Sequence, residues 1–263
     1  MANQRYFIEL SYDGTRYHGW QAQPNALAVQ EVLDKALSTV LRTEIETVGC
    51  GRTDTGVHAK EFFAHFDFEK SIDDGPWSMV ERDKSMVYGL STMDKTVRSL
   101  NSILPHDIAI KNIFLVDDEM HARFSATLRS YQYHIHFNKD PFKQGYSWLL
   151  REEPDMELMN EAAKIVTEYT DFSCFSKSNT QAKTNNCKIS RAEWVRVDGG
   201  IVFHISADRF LRNMVRAIVG TLLMVGKKEI SPEAVRGIIT SKNRSNAGTS
   251  VPACGLYLTE VKY

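Results

Sequence analysis

Hydrophobic and polar positions alternate, then switch to a helical spacing, in an order that occurs twice along the chain. Residues 6–12 (YFIELSY) place Tyr6, Ile8, Leu10 and Tyr12 on one side of an extended segment, as a half-buried strand does. Asp13-Gly14-Thr15 is a turn signal. Val29, Val32, Leu33, Ala36, Leu37, Val40 and Leu41 then recur at helical spacing and predict an amphipathic helix over 27–41. Segments 44–50 and 61–68 read as strands on either side of the loop GRTDTGVHA (51–59). A helix follows from Thr92 to Leu104, stopped by Pro105, and 108–116 reads as a strand. The polar, acidic stretch 69–91 carries no periodicity.

The second half repeats this order. Residues 130–137 (SYQYHIHF) alternate, and 155–169 predicts a helix with Met156, Met159, Ala163 and Val166 on one face. Strands 192–197 and 201–206 are joined by Asp198-Gly199-Gly200, a hairpin signal. An apolar helix is expected over 209–225, another helix starts at Ser231-Pro232, and a strand over 255–261 closes the chain. Each half reads β-α-β-β-α-β. The expected fold is therefore α+β, built of two ferredoxin-like (RRM-like, split-βαβ) halves, 1–115 and 116–263, whose sheets flank a central cleft.

Composition narrows the function classes. With 263 residues and 43% hydrophobic residues, the chain is an ordinary globular protein. Its 32 basic and 33 acidic residues give a formal charge of −1, which excludes a uniformly basic nucleic-acid binder but not one with segregated charge. Segments 172–192 and 234–259 contain no Asp or Glu, and Arg209, Arg212 and Arg216 lie on the predicted apolar helix. If these segments converge, they form a face suited to a phosphate backbone. Cys50, Cys174, Cys187 and Cys254 form no CxxC pair; reduced thiols in the cytosol are expected, and a zinc site is not. The N-terminus lacks an apolar signal core, and Arg212 and Arg216 interrupt the longest apolar run, so no membrane span is expected.

The chemistry concentrates in Gly51-Arg52-Thr53-Asp54-Thr55-Gly56-Val57-His58-Ala59. Taken alone, Asp54 could cap local backbone amides. Asp54-Thr55-Gly56 is also the tripeptide of aspartic proteases, but that chemistry needs a second carboxylate sharing the proton, and the chain has no second such motif. A non-catalytic RNA-binding module is a further alternative for two RRM-like halves.

The wider frame resembles the TruA family of tRNA pseudouridine synthases. The likeness runs through YDGTRYHGWQAQPNALAVQEVLDKAL (12–37), GCGRTDTGVHAKEFFAHFDF (49–68), LNSILPHDIAI (100–110), MHARFSATLRSYQYHI (120–135), RFLRNMVRAIVGTLLMVG (209–226) and ACGLYL (253–258). The resemblance implies a cytoplasmic homodimer that converts uridine to pseudouridine at positions 38, 39 and 40 of the tRNA anticodon stem-loop. It assigns the nucleophile to Asp54, its cationic partner to Arg216 and stacking on the target base to Tyr131. Arg52 is expected either to fill the space left by the extruded base or hold a phosphate, or to pair with Asp54 itself. The isomerisation transfers no electrons and adds no group, so no cofactor and no metal are expected. In agreement, the sequence contains neither a dinucleotide fingerprint after a strand nor a P-loop.

Overall fold

The computed structural model describes residues 4–69, 92–177 and 184–263. The irregular stretch 70–91 and the loop 178–183 lie outside them.

The N-terminal half contains β1 (Gln4–Tyr12), α1 (Val29–Leu41), β2 (Val48–Gly49), β3 (His58–Phe68), α2 (Thr92–Ile103) and β4 (Ile108–Val116). The C-terminal half contains β5 (Leu128–His136), β6 (Trp148–Leu149), α3 (Met156–Val166), β7 (Ile189–Val197), β8 (Gly200–Ala207), α4 (Met214–Gly226), α5 (Ala234–Thr240) and β9 (Leu256–Lys262). The α+β class is as expected. The strands do not form two sheets, however. They form one mixed sheet in the order β4-β1-β3-β9-β5-β8-β7, with β2 beside β3 and β6 beside β5. The two halves join where His58 and Ala59 pair in parallel with Tyr257 and Leu258. Sequence alternation fixes which residues share a face of a strand, but not which edge meets which.

Local boundaries follow from turn chemistry. Gly199, at φ +66°, makes the tight turn between β7 and β8, where Val197 pairs with Gly200. The segment 44–50 yields only the two-residue β2. The apolar helix begins at Met214 and not at Arg209, because Asn213 turns into the left-handed region at φ 66° and its side chain donates to Ser250 Oγ at 2.5 Å. Arg209 and Arg212 therefore precede α4 and do not share its face with Arg216. As expected, α4 is buried nearly all round, through Val215, Ile218, Val219 and Leu222.

Two hydrophobic clusters flank the join. One gathers Tyr6, Ile8, Leu10, Leu33, Leu37, Phe62, Phe66 and Leu100. The other gathers Tyr133, Ile135, Phe175, Phe203, Ile218 and Leu222. Each borrows from the other half of the chain: Leu258 and Val261 pack into the first, Val57 into the second. Tyr131 touches both. Trp20 is fully buried and stacks on Phe62 at 4.1 Å between ring centroids, so it serves packing and is not free to touch RNA.

His136 is buried, His134 is half-buried, and among the described residues no cluster of metal-ligating side chains forms. All four cysteines are free thiols. No described helix is long and apolar enough to cross a membrane.

Burial of His65 has a consequence for stability. Its ring accepts from the Ala122 amide at 3.2 Å and meets the edge of His121 at 4.6 Å. Desolvation, then the nearby His121 and Arg5, pushes its pKa down to about 4. Between that value and the unfolded value of about 6.5, the unfolded chain binds a proton that the folded chain refuses. Stability is therefore lost as the pH falls through this window. We expect His65→Gln to remove about 2 kcal/mol of the acid-side loss relative to the unsubstituted protein. Melting curves at pH 7, 5.5 and 4.5 would check this; parallel pH dependence of the two proteins would refute it.

Candidate active site

The GRTDTG loop enters β3 at the junction of the two clusters. Its bend ends at Gly56, whose φ is +76°, and is closed by the Val57 amide donating to the Asp54 carbonyl at 3.2 Å. The loop is braced from outside. Thr53 Oγ1 lies 2.9 Å from the Tyr12 hydroxyl, and the Gly56 amide donates to the Tyr17 carbonyl at 3.2 Å. Gly19, at φ +89°, lies so close that a β-carbon there would stand 2.2 Å from the Thr53 carbonyl oxygen. The turn after β1 thus forms the bed of the loop, which gives Gly19 a steric role that the bare sequence does not declare.

Asp54 faces inward. Its side chain is 23% exposed, and Arg216 Nη1 lies 3.5 Å from Oδ2 while Arg212 Nε lies 3.8 Å from Oδ1. Arg216 is the better held of the two: Nε donates to the Val251 carbonyl at 2.7 Å, and the side chain is 21% exposed against 64% for Arg212. The expected Asp54–Arg216 proximity is present, and Arg212 joins it. Arg52 is exposed, and among the described residues it makes no ion pair with Asp54. The cations beside Asp54 come instead from the start of α4 and the turn before it.

Tyr131, on β5 between Ile205 of β8 and Leu258 of β9, meets the edge of Phe210 at 5.2 Å between ring centroids. Burial, reinforced by Cys50 and Asp54 and opposed by Arg129, raises the pKa of its phenol. A phenol raised in this way stays protonated at neutral pH and is a poor general base. The Cys50 thiol, beside the loop, is pushed up to about 11 by burial and is no rival nucleophile.

Full-length relatives decide the family. The chain is 48% identical to tRNA pseudouridine synthase A of Bacteroides fragilis over 264 aligned residues, covering 100% of this chain and 98% of that protein. The chain belongs to the tRNA pseudouridine synthase A (TruA) family. It is also 46% identical to the enzyme of the same name from Porphyromonas gingivalis, over 98% of this chain and 97% of that one, and 36% identical to that of Bacillus licheniformis, over 97% of each. A family model described as tRNA pseudouridine synthase matches residues 169–263. Pseudouridine synthases are isomerases, and this TruA-family chain is one of them.

One TruA-site residue escaped sequence reasoning. Arg129 is 9% exposed and lies beside Cys50, just before the GRTDTG loop. Its guanidinium donates to the carbonyls of Cys50, Arg123 and Asp208 at 2.7–3.2 Å and, among the described residues, to no carboxylate. The available signal is the strand register, since Arg129 shares its parity with Tyr131, Tyr133 and Ile135, and an arginine on the inward face of a strand needs buried partners.

Proposed function

We propose that the chain isomerises uridine to pseudouridine at positions 38, 39 and 40 of the tRNA anticodon stem-loop, with Asp54 as nucleophile and without a cofactor. The observation that carries this reading is the Asp54 carboxylate, held inward on a braced loop with two guanidinium groups 3.5 and 3.8 Å away. Relatives that span the whole chain carry the name of tRNA pseudouridine synthases, which supports tRNA as the substrate here.

The reaction balances within the nucleotide. The N1–C1′ bond breaks, the base turns, C5 bonds to C1′, the C5 proton leaves and N1 gains a proton. Asp54 supplies the electron pair that stabilises or traps the detached fragment, and Arg216 and Arg212 orient that carboxylate and balance its charge as charge redistributes. The stem uridine must leave its stack, which costs a few kcal/mol. Tyr131 offsets part of that by stacking on the base, worth about 1–3 kcal/mol. Its raised phenol pKa favours this role over proton transfer.

We read the fold as two ferredoxin-like halves, 1–115 and 116–263, fused edge to edge; the paths β4-β1-β3 and β9-β5-β8-β7 support that reading. The proposal places the enzyme in the cytoplasm as a homodimer.

The test is incubation with unmodified tRNA carrying tritium at uridine C5, in buffer without additives. Release of label is expected, because C5 loses its hydrogen only when the new carbon–carbon bond forms there. Retention of the label by an enzyme that binds the tRNA would overturn the proposal.

A further inference from the structure

Three arginines beside the site lack acidic partners among the described residues. Arg52 is exposed on the catalytic loop, Arg123 is exposed in the turn before β5, and Arg209 is half-buried in the turn after β8. Among the described residues none of the three forms an ion pair, although Arg5, Arg16, Arg191, Arg196 and Arg236 all do. Oδ1 of Asp208, next to Arg209, accepts from the backbone amides of Lys188 and Arg209, both at 2.7 Å, and no side-chain pair between Asp208 and Arg209 forms.

These arginines come from segments far apart in sequence, and one group gathers them. Arg129 Nη2 and Nε donate to the carbonyl of Cys50, two residues before Arg52, at 2.8 and 3.2 Å. Nη2 also donates to the carbonyl of Arg123 itself at 2.7 Å, and Nη1 to that of Asp208, next to Arg209, at 2.9 Å. One planar fork therefore ties three arginine-bearing turns together, a geometry that a lysine ammonium cannot reproduce. The basicity of Arg123 is lowered by partial desolvation and then by Arg52, Arg129 and Arg209, which places these three within electrostatic reach of Arg123. Like charges held together repel, and an anion relieves the repulsion. An aromatic ring completes the patch: Phe124 is 77% exposed, and the Arg123 guanidinium lies over it at 5.7 Å. Cations interleaved with an exposed ring suit a nucleic-acid strand better than a free anion.

We infer that Arg52, Arg123 and Arg209 form a rim that grips the sugar-phosphate backbone of the RNA strand entering the Asp54 site, and that Arg129 is the buried positioning residue that holds the rim together. This rests on tRNA as the substrate and commits Arg52 to phosphate binding.

The test is equilibrium binding of a full-length unmodified tRNA transcript to the full chain over a series of KCl concentrations. Arg52→Ala, Arg123→Ala and Arg209→Ala should each weaken binding several-fold and reduce the slope of log affinity against log salt by about 0.7–0.9. Arg196→Ala, whose partner is Glu153, should leave the slope unchanged. Arg129→Lys should lose more slope than any of the three single variants, with its melting transition kept, although Arg129 is itself buried. Guanidinium chloride should restore binding to Arg129→Ala beyond a control of equal KCl. Wild-type slopes in the three surface variants would overturn the rim. A wild-type slope in a folded Arg129 variant would overturn the positioning role. If neither Arg129 variant folds, double substitutions decide: pairwise coupling above about threefold among the three arginines supports a jointly held rim, and independence overturns it. Turnover by an Asp54 variant would overturn the catalytic assignment while leaving these slopes untouched, so the two ideas fail separately.

Discussion

Asp54→Asn is expected to eliminate pseudouridine formation while tRNA affinity stays within about threefold of wild type, a difference of about 0.6 kcal/mol. The substitution is nearly isosteric. It retains the braced loop, the Thr53–Tyr12 contact and the Val57–Asp54 backbone bond, none of which involves the carboxylate. What disappears is the negative charge and the nucleophilic oxygen beside Arg216 and Arg212. Removing a nucleophile that forms a covalent intermediate costs a factor of about 10⁴–10⁶ in kcat. Tritium release at saturating tRNA, with binding measured on the same preparation, checks both halves of the expectation. Near-full turnover by the variant would show that Asp54 is only a capping carboxylate and would restore the non-catalytic RNA-binding module as the better account.

Arg216→Leu should follow with the next largest loss, about 10²-fold in kcat, comparable to removing one preorganised donor from a site of developing charge. Two contacts explain the size. Arg216 sits 3.5 Å from Asp54 and at the same time donates to the Val251 carbonyl at 2.7 Å, so one side chain fixes both the carboxylate and the segment before β9. Leucine leaves Val251, a buried residue, without that donor, at a cost of about 1–3 kcal/mol in stability. Arg216→Lys keeps the charge but cannot serve both partners, and should fall in between, at about tenfold. Arg212→Leu should cost less than Arg216→Leu, because Arg212 is three times more exposed and lies farther from the carboxylate. Steady-state kinetics on the three variants test the ranking. An Arg212 effect larger than that of Arg216 would reverse the assignment of the principal partner.

Much of this was legible in the sequence. Alternation located β1 and β5, the Asp198-Gly199-Gly200 turn signal located the β7–β8 hairpin, and the helical spacing of Val29, Leu33, Ala36 and Leu37 located α1 and its buried side. The frame around Asp54 was sufficient to point to the family. Other features were not legible. The apolar run from Phe210 reads as helix throughout, yet the left-handed Asn213 delays the helix to Met214 and separates Arg212 from Arg216 in a way periodicity cannot detect. The short β6 carries no signal over two residues.

The sequence by itself determined the element types, most of the buried faces and the candidate carboxylate Asp54, because propensity, periodicity and residue chemistry are local properties. Only the tertiary structure decided that β3 and β9 merge the strands into one sheet, that Asp54 faces Arg216 and Arg212 instead of Arg52, and that a buried Arg129 binds three distant turns. Those outcomes depend on which edges and carbonyls remain unpaired once the chain has collapsed. A backbone carbonyl has the same chemistry at every position, so no residue type announces which one a buried guanidinium will claim.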